Sequence, residues 1–352
     1  MLTRLTRLAA SPWLRLALLA VVLAFCAYAL YAEWPQVTTA LQRLHWYSLA
    51  ASLLAAMAGA FCLMLAWRTI LSDLGSPLPV RSAARVNFIA QLAKYVPGAV
   101  WAFAAQVELG HDYQVPRRRS LASVVASLAV VAGSGVVVAL VTLPFTSPHV
   151  LRQYWWVLCT VPVLVAALCP PLLGRILDRL LMLIRSQPLE RRPSWRGIGR
   201  AVAWNLAGWL VLGVAIWLLV GDVAGLRPSS LVLSIGGYAL AYSAGLLLVI
   251  LPSGLGARDL ILVAALAQAL PHGTAVAIAL AARVVTTVSD LSLGGLGIAL
   301  RRKPARLADA REAAPAGPAL VEPDLVEPAQ AGLAGPSRST PGEHRAPGSN
   351  AG

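Results

Sequence analysis

Residues 93–103 read AKYVPGAVWAF. A lysine, Lys94, sits inside an apolar run, and Pro97-Gly98 follows three residues later. Proline removes a backbone donor and glycine frees the chain, so the pair interrupts a helix. Apolar residues continue on both sides, from 84 to 110. Either this segment is one kinked helix of 27 residues that crosses a membrane, or it turns back at Pro97-Gly98. The choice fixes the side of every later loop.

The surroundings are those of a membrane chain. Of 352 residues, 58% are hydrophobic and 12% charged, with mean hydropathy +0.70. Soluble domains carry about 25% charged residues. Runs of the roughly 20 apolar residues needed to cross a bilayer lie near 14–32, 48–67, 121–144, 155–174, 199–220, 231–251 and 274–300. The first is read as an uncleaved helix, although Ala27-Tyr28-Ala29 resembles a signal-peptide cleavage site. Two interrupted segments remain, 84–110 and 252–270, the latter starting LPSGLGARDL. The expected fold is all-α: a polytopic bundle of seven or eight transmembrane helices plus a re-entrant helical hairpin. Residues 1–303 form the membrane domain. Residues 304–352, rich in Pro, Gly and Ala, are expected to be a disordered cytoplasmic tail.

Basic residues orient the bundle. With a cytoplasmic N-terminus, the inner loops hold Arg4, Arg7 and Arg15, then Arg68, Arg81 and Arg85, then Arg117, Arg118 and Arg119. Seven arginines between 175 and 200 follow, and Arg301, Arg302, Lys303 and Arg306 close the series. The outer loops hold only Arg43, Arg152 and Arg227. This asymmetry requires that 84–110 turn back, with arms of about 18 Å, too short to cross. It also requires that 257–270 return as a short helix, giving eight crossings. A second hairpin over 252–270 would give seven and leave the tail outside. The net charge of +14 therefore reads as topology, and no nucleic-acid partner is expected.

The first arm carries Asn87, Gln91 and Lys94 on one helical face. Matching equal distances from the tip puts Trp101 opposite Lys94, as a cation–π partner, and Glu108 opposite Asn87. A lysine at mid-membrane costs about 2.5–3.5 kcal/mol on insertion scales, and such residues mark pathways or pair inside the bundle. Two readings stay open: Lys94 attracts an anionic group, or it neutralises Glu108, Asp259 or Asp290. In the second broken segment, Pro252, Gly254 and Gly256 end one helix, and Arg258 and Asp259 open the next. Free N–H groups beside Arg258 suit an anion; an interfacial ion pair at a turn is the plainer reading. Arg283 and Asp290 share a face about 10 Å apart, so each needs another partner: Asp259 for Arg283, Arg258 for Asp290. Gly237, Ala241 and Gly245, four apart, suit close helix packing.

No P-loop, GxSxG or HExxH occurs, and no paired-cysteine metal site. Cys26, Cys62, Cys159 and Cys169 read as buried thiols. No catalytic residue, metal or cofactor is expected. A lipid-modifying enzyme would have to rely on Glu108 or Asp259 alone.

The stretches NFIAQLAKYVPGAVWAFAAQVELG and LPSGLGARDLIL, in this order among eight apolar runs, resemble the membrane domain of the lysylphosphatidylglycerol synthase family, also described as flippase-like. The resemblance covers roughly residues 10 to 303. It implies a membrane domain that handles lipids. In two-part members such a domain moves an aminoacylated phospholipid between leaflets, while a separate cytoplasmic domain performs the aminoacyl transfer. No such transferase domain is expected here. Lys94, Pro97, Gly98, Pro252, Gly254, Gly256 and Arg258 carry over. Asp259 stands where relatives often have Glu, and the first motif differs from the Arg- and Glu-containing version; both leave the substrate open. The expectation is a multi-pass protein of the cell membrane that binds and translocates an anionic phospholipid or a lipid-linked glycan, with Lys94 and Arg258 on phosphate. Asn87, Gln91 and Glu108 would form its polar mouth, and Trp101 would pack the site. The alternative is a non-transporting partner of a glycosyltransferase or lipid-synthesis enzyme.

Overall fold

The computed structural model describes residues 34–95, 101–145, 168–183, 189–247 and 256–299, with positions 162 and 166. The chain divides into Met1–Arg301 and Arg302–Gly352, and all described residues belong to the first unit. Four expectations fall outside the described residues: the 14–32 helix, most of the 155–174 run, the tips at Pro97-Gly98 and Pro252-Gly254, and the 304–352 tail. All regular structure among the described residues is helical.

Among the described residues ten α-helices follow in order. A short α1 (Trp34–Gln42) leads into α2 (Trp46–Asp73). Then come α3 (Val80–Leu92), a 3-10 turn at Ala93–Tyr95, and α4 (Trp101–His111). Next are α5 (Arg117–Thr142), α6 (Pro170–Leu183) and α7 (Trp195–Ala224). The chain continues through α8 (Pro228–Leu247), α9 (Ala257–Leu266) and α10 (His272–Ala299). Five of them, α2, α5, α7, α8 and α10, are long and apolar enough to cross a membrane.

Segment 84–110 turns back. Its arms α3 and α4 have 13 and 11 residues, about 20 and 16 Å, and they pack against each other. The deciding contacts are at their outer ends. Arg119 Nη1, beyond the hairpin, donates to the carbonyl of Gly75, before it, at 3.0 Å, and Arg85 Nη1 donates to the Tyr113 hydroxyl at 2.9 Å. The basic clusters flanking the segment thus share one rim. Proline opens the helices that follow, at Pro79 before α3 and Pro116 before α5, where a missing N–H is harmless.

The same rim carries other helix ends. Asp73, ending α2, accepts the Ser194 N–H at 2.6 Å and its hydroxyl at 2.7 Å. Ser194 Oγ in turn caps α7 by accepting from Gly197 N at 3.0 Å. Glu190 accepts from Arg118 and Arg119. Its carboxyl is held below the usual range, first by the Arg119 hydrogen bond and then by the Arg118 charge. On the opposite rim, Asp222 near the end of α7 accepts from His45 N and Ser48 Oγ, both at 2.9 Å, at the start of α2. Helices α2 and α7 are therefore antiparallel.

The second broken segment also returns on itself. A Cβ on Gly245 would lie 3.0 Å from Arg258 Cβ, and one on Gly237 would lie 2.9 Å from Ala265 Cβ. Helix α9 thus runs antiparallel along α8, and the small residues at 237, 241 and 245 form its bed. Gly256 caps α9 with φ 87°, a region that favours glycine. Helix α9 has 10 residues, about 15 Å, so it does not span a bilayer alone. Residues 266–270 nevertheless reach the start of α8, lining one small pocket with Arg227 and Leu233. Helix α10 then ends at the basic rim, where Gly297 faces the backbone of Arg85.

Candidate functional site

A cavity of about 220 Å3 opens between the hairpin, α2, α5, α8 and the α9–α10 pair. It lies at mid-depth: α10 is 28 residues long, about 42 Å, and Arg283 and Asp290 stand on either side of its midpoint. Both broken segments contribute to its wall. The stripe Asn87, Gln91 and Lys94 comes from the first, and Arg258 from the second.

Four charged side chains line it: Lys94, Arg258, Arg283 and Asp290. Lys94 Nζ lies 2.6 Å from Asp290 Oδ2, and the Tyr95 hydroxyl donates to the same oxygen at 2.8 Å. Asp259 reaches Arg283 loosely, at 4.0 Å, without itself lining the cavity. Arg258 is held differently. It donates to the Tyr238 hydroxyl, and its guanidinium carbon stands 4.9 Å from the Tyr238 ring centre and 5.0 Å from that of Tyr242. Among the described residues no carboxylate lies within ion-pairing distance of it. Aromatic faces stabilise a desolvated guanidinium while leaving the local charge positive. Counting Asp259, three cations meet two carboxylates, a surplus of one positive charge.

Some expected placements differ. Lys94 lies over the Tyr95 ring, 5.5 Å from its centre, and Trp101, 56% exposed, does not line the cavity. Glu108 pairs with Arg117 at 3.0 Å on the exposed surface, away from Asn87, which is 8% exposed. The cause is helical rotation. Matching distances from the tip ignores that each arm turns 100° per residue. Trp101 and Glu108, seven apart, share the outward face of α4, and Ala102, Phe103 and Gln106 face the cavity. Asp290 takes Lys94, one of the partners left open for that lysine, in place of Arg258, and the Asp259–Arg283 pair is present as anticipated.

Gln106, Tyr95, Tyr238 and Tyr242 were missed. The last two are one turn apart in GGYALAYSAG, a stretch assigned to packing alone; paired tyrosines on a small-residue helix near an intramembrane arginine are the signal that was available. Among the described residues no group of His, Cys, Asp and Glu could hold a metal ion. Cys62 and Cys169 are half-buried.

The family model described as the lysylphosphatidylglycerol synthase TM region matches residues 13–294. The chain belongs to this family. No curated protein shows significant similarity to it. Both broken segments and every charged residue of the cavity fall inside the matched span. The lysylphosphatidylglycerol synthase TM region is here a multi-pass helical membrane domain, related to lipid, whose two Pro/Gly-interrupted segments meet at one cationic cavity.

Proposed function

We propose that this domain binds the phosphate of an anionic phospholipid or lipid-linked glycan and carries the headgroup between leaflets of the cell membrane. The observation that supports this most is the surplus positive charge at mid-depth, supplied from both interrupted segments at once. An unbalanced cation in lipid is expensive, so its retention calls for an anion that visits. Lys94 and Arg258 contact phosphate in this reading, and Asn87 and Gln91 line the path. Gly256, with its positive φ, opens α9 at the cavity so that backbone can border a polar space. The acyl chains stay in the bilayer while the headgroup uses the cavity. No bond is made or broken, and the N-terminus is cytoplasmic.

A scaffold for a membrane enzyme is the second reading. The Lys94–Asp290 pair favours it, since a neutralised lysine can simply fasten the hairpin to α10. Leaflet exchange of a headgroup-labelled anionic phospholipid in proteoliposomes separates the two. Fast exchange with wild type, lost in Lys94→Ala and Arg258→Ala at equal incorporation, supports transport. Exchange no faster than in empty vesicles, across a panel of anionic lipids, supports the scaffold.

A further inference from the structure

We propose that Asp290 is a proton-binding site coupled to the ligand's phosphate, so that each headgroup engaging Lys94 brings a proton onto Asp290. The proposal rests on the lipid-phosphate reading above.

Lys94 does not stand ready for an anion. Its ammonium is 2.6 Å from Asp290 Oδ2, and Tyr95 donates to that same oxygen. A phosphate can reach Arg258 first, because tyrosine faces rather than a carboxylate hold it. To use Lys94 as well, it must draw the ammonium, which has three donors, partly away from Asp290. The carboxylate would then remain in a low-dielectric cavity, sharing its cation with a second anion beside it. Burial and a neighbouring like charge both favour the neutral acid. With a proton on Oδ2, Asp290 becomes a donor, able to bond the phosphate or the Tyr95 oxygen in place. Proton and phosphate therefore enter together, the phosphate replacing Asp290 as the counter-anion of Lys94.

The groups facing Asp290 are accounted for element by element. The hairpin presents Lys94 and Tyr95, α9 presents Arg258, and α10 itself presents Arg283. Helix α8 adds Tyr238 and Tyr242. Helices α1, α2 and α7, which also pack on α10, place no titratable group on the cavity wall, nor do α4 and α5. Asp290 is the one carboxylate on that wall among the described residues; Asp259 stands behind Arg283.

The test is the affinity of purified protein for short-chain phosphatidylglycerol as a function of pH. A phosphodiester does not titrate near neutrality, so any dependence belongs to the protein. At full coupling of one proton, affinity rises about tenfold for each pH unit lowered. Asp290→Asn is expected to bind without that dependence, and Asp259→Asn to keep it. Since Asp290→Asn removes the Lys94 ion pair and threatens folding, wild-type calorimetry in buffers of different ionisation heat gives a second readout: up to one proton taken up per lipid bound. Binding with neither pH dependence nor proton uptake overturns the coupling and leaves the lipid reading intact. A dependence lost in Asp259→Asn and kept in Asp290→Asn also overturns it. No binding at any pH overturns the lipid reading itself, and this proposal with it.

Discussion

Lys94 and Asp290 hold each other at 2.6 Å with little exposure of either side chain. Removing one partner of such a half-buried pair strands a charge, at a cost below the roughly 3–5 kcal/mol of a fully buried pair, whereas removing both is often close to neutral. Lys94→Met and Asp290→Asn alone should each lower thermal stability in detergent. The double variant should recover most of the loss, a coupling of about 3 kcal/mol in a double-mutant cycle. Equal additive losses would show that the pair does not form. Glu190 gives a prediction of opposite setting, at an exposed site. Its carboxyl is depressed by Arg119 and Arg118, so the stabilisation it gives is present above the ordinary carboxylate range. That stabilisation is lost as pH falls through its lowered folded value. Acidification should therefore loosen the loop at 189–194 in wild type, read as thiol accessibility at an introduced cysteine, and Glu190→Gln should be loose already at neutral pH.

Helix packing at the site depends on close approaches at two glycines, one against backbone and one against a side chain. A Cβ on Gly213 of α7 would lie 2.6 Å from Ile235 Cα of α8. Backbone cannot yield locally, so Gly213→Ala should separate the helices and destabilise the fold by about 1–3 kcal/mol. A Cβ on Gly245 would press on Arg258 Cβ at 3.0 Å, which a small shift relieves. Gly245→Ala should thus leave thermal stability near wild type while displacing Arg258 and lowering lipid exchange. The reverse ranking would mean that the α8–α9 contact does not set the site. The helices themselves were legible, because 20-residue apolar runs have one solution in lipid. The stripe Asn87, Gln91 and Lys94 was legible from its spacing within a single helix. Between helices, charge balance pointed to Asp259–Arg283 and offered Asp290 for Lys94, both of which form, but the facing of whole helices was not legible. Which face of α4 points inward depends on its rotation, and this moved Glu108 and Trp101 out and Gln106 in. The tyrosine cradle of Arg258 depends on α8 and α9 lying antiparallel, which local pattern does not encode.

The bundle has a basic rim and an opposite rim, joined by antiparallel α2 and α7 and closed by two segments that return. The hairpin 84–110 predicts that single cysteines at Arg81 and Asp112, in a background lacking the four native ones, react with an impermeant thiol reagent from the same side of the membrane. Reaction from opposite sides would show a crossing and undo the topology. The charge count made this return legible, since twenty basic residues fall on one side only if the segment does not cross; Arg119 on the Gly75 carbonyl is its structural counterpart. The central claim is that a lipid phosphate passes through the cavity these returns enclose. It is tested most directly by crosslinking an anionic phospholipid that carries a photoreactive group beside its phosphate, followed by mapping of the adducts. Adducts on Gln106, Tyr238 and Tyr242, lost in Arg258→Ala, are the predicted result. Adducts confined to outward positions such as Leu210 and Val284, unchanged by Arg258→Ala, would contradict it.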